Sequence, residues 1–196
     1  MTAEEASGQR PRRSWWRRNW VGLVAFVVLA PVTVAVTFSN EWGRYYAERP
    51  SVPVDVARGE AIDYGGATWR LVEAERLPGG SAELQDAGMP EGTDLVVVTI
   101  EVEPTQLDAE GRSPLCAVTL DELDAPGGAE RRTWTDAIFS SIDYEADPSA
   151  ENSCVAENTS PYRYESQYIV PSDVEGPLAV QLEVVSELPR YLHLAL

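Results

Sequence analysis

Residues Leu95–Val102 read LVVVTIEV. Successive side chains of an extended chain point to opposite faces. Val96, Val98, Ile100 and Val102 therefore share one face, and Leu95, Val97, Thr99 and Glu101 share the other. The first set is wholly apolar and marks a face turned to a core. Pro104 ends the strand, because proline has no N–H for a neighbouring strand.

Period-two patterning extends outward from this strand to both ends of the region 54–196. Upstream, Glu60–Tyr64 and Ala67–Leu77 flank Gly65-Gly66, as in a hairpin whose tight turn needs positive φ at both central residues. In the second arm Trp69 and Leu71 point one way and Arg70 the other, after which the alternation blurs. Residues 78–93 form a Gly/Pro-rich loop with a short helical turn expected at Ala82–Asp86. Downstream, Leu115–Leu123 and Arg131–Phe139 read as strands joined by the turn Asp124–Gly128. Tyr162–Val170, Leu178–Val184 and Tyr191–Leu196 complete the set, with Pro171 closing the first of the three. Seven to nine short strands without a soluble helix predict an antiparallel, immunoglobulin-like β-sandwich; a closed barrel is the alternative.

A different signal precedes this region. Between Arg18 and Glu41 lie 22 residues without a charge, NWVGLVAFVVLAPVTVAVTFSN. As a helix they would cover about 33 Å, enough for a hydrocarbon core of about 30 Å. Trp15, Trp16 and Trp20 stand at one end and Trp42, Tyr45 and Tyr46 at the other, where amphipathic rings favour the headgroup level. Arg12, Arg13, Arg17 and Arg18 lie on the N-terminal side, so the positive-inside rule places that end in the cytoplasm. Pro31 is tolerated in a membrane helix. The division expected is a cytoplasmic Arg-rich tail at 1–18, a transmembrane helix at 19–40, a stalk at 41–53 and an extracytoplasmic domain at 54–196. The competing reading is a signal peptide removed on export. The apolar run exceeds a usual signal core, however, and no clean Ala-x-Ala site follows it.

The chain has 15 Arg and no Lys, and a formal charge of −17. Residues 41–196 hold 10 Arg and 30 Asp plus Glu, a charge of −20. Such a domain repels nucleic acid and anionic lipid, and nucleic acid is excluded as a partner class. The expected contacts are the bilayer, through 19–40, and an envelope protein. Cys116 and Cys154 both fall on the outer side, too far apart in sequence for a CxxC redox motif, and predict a structural disulfide.

The search for chemistry returns little. His193 is the only histidine, and no G-x-S-x-G accompanies it. Leu192 and Leu194 would face the core, putting His193 on the other face. Asp143, Glu145 and Asp147 match the opening of an EF-hand loop, but Pro148 replaces its glycine and Cys154 its closing glutamate. They remain calcium candidates beside the simpler reading of a solvated acidic loop. Tyr162, Tyr164 and Tyr168 form a stripe that could line a ligand face or pack within the sheet. No catalytic residue, cofactor or transition-metal site is expected.

The strand Thr93–Val102, the strand end Tyr168-Ile169-Val170-Pro171 and the following Leu178–Val184 together resemble actinobacterial exported proteins with an immunoglobulin-like ectodomain of the immunoprotective extracellular protein type. In that group the early strand often ends in Asn; here it ends in Glu103-Pro104. The resemblance implies a non-enzymatic surface domain. The function expected is a single-pass, membrane-anchored extracytoplasmic interaction module. A structural subunit of an envelope complex is the alternative, and a hydrolase using acidic residues a minor one.

Overall fold

The structure, a computed structural model, describes residues 15–123, 132–137 and 142–196, apart from the side chain of Asn40. Arg12, Arg13, the turn Asp124–Gly128 and both ends of the strand expected at 131–139 lie outside these residues. The chain divides into two units, Met1–Tyr46 and Ala47–Leu196.

The described residues of the first unit belong to one helix, α1 (Trp15–Ala47, 33 residues), with Pro31 inside it. Its apolar side chains are open on all sides; Phe26, Val27 and Leu29 are each more than 60% exposed. Hence this helix has no polar face for water and no core of its own. The rings at its C-terminal end pack on one another: Phe38 stacks on Trp42 at 6.1 Å, and Trp42 meets Tyr46 at 5.1 Å. Four-residue spacing puts each such pair on one helix face. The interval 41–53, read as a stalk, divides between this helix, which continues to Ala47, and the first strand, which opens at Val52. Residues 41–47 contain no proline and extend the helix; Pro50 follows its end.

The second unit is a β-sandwich of nine described strands. One sheet has the order β1 (Val52–Val56), β9 (Arg190–Ala195), β8 (Leu178–Val184), β5 (Cys116–Glu122), β6 (Thr133–Thr135). The other has the order β2 (Ala61–Tyr64), β3 (Ala67–Pro78), β4 (Thr93–Pro104), β7 (Tyr162–Pro171). The expected sandwich is present, with one departure from antiparallel pairing: β1 runs parallel to β9. Pro53 sits in β1, an edge strand, where a missing N–H can face outward.

β4 is the centre of the second sheet. Val96, Val98, Ile100 and Val102 are at most 2% exposed and meet Leu120, Val180, Leu182, Leu192 and Leu194 of the facing sheet. Trp69 fills the gap between sheets, and its Nε1 donates to the carbonyl of Tyr64 at 2.8 Å. The blurred alternation in β3 has a cause: the register with β4 shifts between Leu71 and Glu73, where Val72 is bulged and partly exposed. Gly65 and Gly66 take φ of 57° and 88° and close the β2–β3 hairpin as expected.

The second face of β4 is half covered. Leu95 is fully buried with Leu84 and Met89, against Ile142, Tyr144 and Ile169. The cover comes from α2 (Ala82–Asp86), capped by the Ser81 hydroxyl, which accepts from the Leu84 N–H at 3.4 Å. The 79–92 segment is thus a plug over the sheet rather than a free loop.

One polar knot holds that plug and the end of β7 to β4. Asp94 accepts from Arg76 Nε at 2.8 Å, from the Ser172 hydroxyl at 2.7 Å and from the Gly79 N–H at 3.2 Å. Burial alone would raise this carboxyl, but the bonds from Ser172, Gly79 and Arg76 outweigh it and hold it below its ordinary value. A second pair closes the same end of the sandwich. Arg132 Nε meets the fully buried Glu122 at 2.7 Å and holds its carboxyl below the usual range.

Gly79 has no room for a side chain: a Cβ there would lie 1.9 Å from the Thr93 carbonyl oxygen, whereas one at Gly80 meets nothing within 4 Å. Gly79→Ala should cost about 2 kcal/mol or more, lowering Tm in a thermal melt of the full chain by roughly 5 °C or more. Gly80→Ala should stay within about 0.5 kcal/mol of the parent. Because the folded Asp94 carboxyl titrates below its ordinary 3.8, its contribution is present above that pH and is lost as pH falls through the folded value. Asp94→Asn should therefore lower Tm at pH 7, with the difference shrinking as pH falls below 3.8 and through the folded value; a gap that persists unchanged into acid would contradict this assignment.

Candidate functional site

The residues singled out in the sequence are distributed by the fold very unevenly. Trp15, Trp16, Arg17, Arg18 and Trp20 occupy the first turns of α1, and Trp42, Tyr45 and Tyr46 its last turns, all exposed. Cys116 and Cys154 are joined, with Cα atoms 5.6 Å apart. The bond ties the start of β5 to the long connection before β7. That connection has few regular bonds of its own, so a covalent tie there removes much freedom from the unfolded chain.

Two rings of the tyrosine stripe are core. Tyr164 and Tyr168 are 5% and 0% exposed within the main core, and Tyr162 packs partly against it. They lie on the inner face of β7 because Val170, in phase with them, shares the same apolar side. Burial pushes the hydroxyls of Tyr164 and Tyr168 well above their ordinary 10.0, and the Ser166 hydroxyl satisfies Tyr168 at 2.9 Å. Tyr164 and Tyr168 are sandwich filling, whereas Tyr162 also lines an open groove on this sheet.

The three calcium candidates are not gathered. Asp143 and Glu145 are exposed, and Asp143 spends its N–H on the Ala87 carbonyl at 2.8 Å. Asp147 turns onto its own loop, accepting from the Ser149 N–H at 2.8 Å and the Ser149 hydroxyl at 2.7 Å. These bonds hold its carboxyl below the ordinary value. Among the described residues no group of three His, Cys, Asp or Glu side chains could hold a metal ion.

His193 lies on the face opposite Leu192 and Leu194, as expected, but it is 6% exposed rather than open. Its Nδ1 is 3.6 Å from Asp55 and its Nε2 3.5 Å from Asp121, and its ring meets Tyr191 edge-on at 5.0 Å. Thr133 donates to Asp121 at 2.6 Å. From β9 the imidazole thus reaches a side chain of neighbouring β1 and, across β8, one of β5, a bracing role on the outside of the first sheet.

What the sequence reading did not find is a row across the outer face of the second sheet. Arg70, Glu101 and Arg163 stand in register on β3, β4 and β7. Arg70 pairs with Glu101, and Arg163 approaches the same carboxylate at 3.8 Å. With Thr68 and Ser149 they line an open groove of about 470 Å³. Alternation alone marks each of the three as outward; only strand register puts them side by side. A smaller cleft of about 140 Å³ lies beside β7, lined by Tyr144, Asp147, Glu165 and Gln167. Burial and the nearby Glu165 raise the Tyr144 hydroxyl. Both recesses offer polar contact surfaces.

No protein-family model matches the chain, and no curated protein matches it. Two solved structures are similar to it. One is a candidate lipoprotein from Staphylococcus aureus subsp. aureus NCTC 8325, 11% identical with a TM-score of 0.45, covering 72% of this chain and 90% of its own. The other is an uncharacterised β-sandwich protein from Clostridium difficile 630, 11% identical with a TM-score of 0.39, covering 76% of this chain and 97% of its own.

Proposed function

We propose that this protein is a single-pass, membrane-anchored extracytoplasmic interaction module. The observation that carries the reading is α1. A 33-residue helix with apolar side chains exposed on every side would be insoluble in water and is stable in a bilayer. The arginines before its uncharged run, and the balance of Glu41 and Glu48 against Arg44 and Arg49 after that run, support an N-terminus in the cytoplasm. The Cys116–Cys154 bond supports an oxidising compartment for the sandwich.

The strand wiring supports an immunoglobulin-like module. β4 leaves one sheet for β5 in the other, β5 pairs with β8, β8 with β9, and β7 with β4. This is the pattern of strands B, C, F, G and E in that fold. On this reading the chain is an anchored counterpart of exported ectodomains of the immunoprotective extracellular type. It acts by contact, with the groove around Arg70, Glu101 and Arg163 as its recess for a polar envelope partner.

The test is a fusion, after Leu196, of a reporter active only outside the cytoplasm, combined with the intact mass of the membrane-extracted chain. An active fusion on a full-length, carbonate-resistant protein is expected. An inactive but well-expressed fusion would reverse the topology. A mature mass lacking residues 1–40 would replace the anchor with a removed signal.

A further inference from the structure

Five large apolar side chains of the sandwich are exposed among the described residues: Val52, Val72, Leu107, Leu115 and Val185. Four of them crowd one end. Val52 opens β1 and, with Ser51, donates its backbone N–H to the Pro189 carbonyl. Val185 begins the 3₁₀ turn between β8 and β9 and is 71% exposed. Leu107 and Leu115, 48% and 55% exposed, lie on the β4–β5 connection, which is held to the hairpin turn by the N–H groups of Thr105 and Gln106 on the Gly66 carbonyl. Between them is a shallow depression of about 600 Å³. An apolar cluster concentrated at one end of an otherwise polar domain marks a contact surface.

We propose that this end of the sandwich rests on the lipid bilayer, with Leu107, Leu115 and Val185 reaching the headgroup–acyl boundary. This rests on the reading of α1 as a membrane anchor. The occupant follows from three observations. First, the chain enters the sandwich at this end: only residues 48–51 separate the last residue of α1 from Val52. Second, both arginines here pair with acids of their own segments. Arg112 meets Asp108 at 2.9 Å and Glu110 at 3.4 Å, and Arg190 approaches Glu187 at 4.0 Å. Third, more exposed acids lie at the opposite end, where α2 and the loops beside it carry Glu83, Asp86, Glu91 and Glu175, than here, where Glu103 and Glu157 are exposed. An anionic surface would therefore repel the far end more than the near one.

Three apolar side chains are too few to hold a free domain on lipid. Covalent attachment to a membrane helix changes the balance, because a tethered contact forms at an effective concentration in the millimolar range. The surface would fix which face of the module looks outward, leaving the groove around Arg70 and Arg163 accessible from the side.

The test places a photo-crosslinking benzophenone side chain singly at Leu107, Leu115 or Val185 of the full chain, in nanodiscs of mixed zwitterionic and anionic lipid holding one copy each. Glu91 at the far end and Val72, exposed and apolar elsewhere, serve as controls. Lipid adducts, detected by mass, are expected at least fivefold above both controls at two or more of the three positions. In the doubly substituted Leu115→Glu, Val185→Glu chain the adduct at Leu107 should fall to the control level. Adducts no greater than at Val72, or unaffected by the two glutamates, would overturn the proposal. Failure of the chain to co-elute with the discs would sink the anchor reading instead, so the two failures are separable.

Discussion

The packing of β4 across the sandwich is the constraint on which the rest of the β domain depends. Val96, Val98, Ile100 and Val102 lie between β3 and β7 and press on the apolar faces of β5, β8 and β9. Period-two geometry means that a slip of one residue would turn this whole face to the outside. Burying it therefore fixes the register of both neighbours at once. Fixing β7 in turn brings Tyr164 and Tyr168 inward and Arg163 and Glu165 outward.

The polar groups act at the margins of that core. Asp94 gathers Arg76, Ser172 and Gly79 from three segments, and Glu122 with Arg132 closes the same end. A buried carboxylate is costly unless its lone pairs are taken, and each of these has its partners. Their depressed pKa values record that satisfaction rather than reactivity. His193 between Asp55 and Asp121 does similar work on the outer face of the first sheet.

α1 imposes a separate constraint. A helix with no polar face has no stable place in water, and whatever the sandwich does must be compatible with that. On the reading proposed above, an anchored module needs less intrinsic affinity than a free one, since tethering supplies local concentration. The open grooves and the apolar loop end suit weak contacts of this kind better than a deep ligand cavity would.

Patterned residues by themselves determined much of this protein. The apolar run at 19–40, the alternation in 95–102 and 178–184, the glycine pair at 65–66 and the helical turn at 82–86 are local signals. Each of them follows from side-chain period or backbone freedom alone. The sandwich follows from their sum. Tertiary structure alone decided which strands pair, and with that the parallel β1–β9 contact, the Arg70–Glu101–Arg163 row and the gathering of Leu107, Leu115 and Val185 at one end. It also decided between two open readings, turning Tyr164 and Tyr168 of the tyrosine stripe into core and dispersing Asp143, Glu145 and Asp147. The physical reason is common to all of these. Alternation states which way a side chain points, but what it meets there depends on a strand tens of residues away, and that partner is chosen by burial of the whole apolar surface.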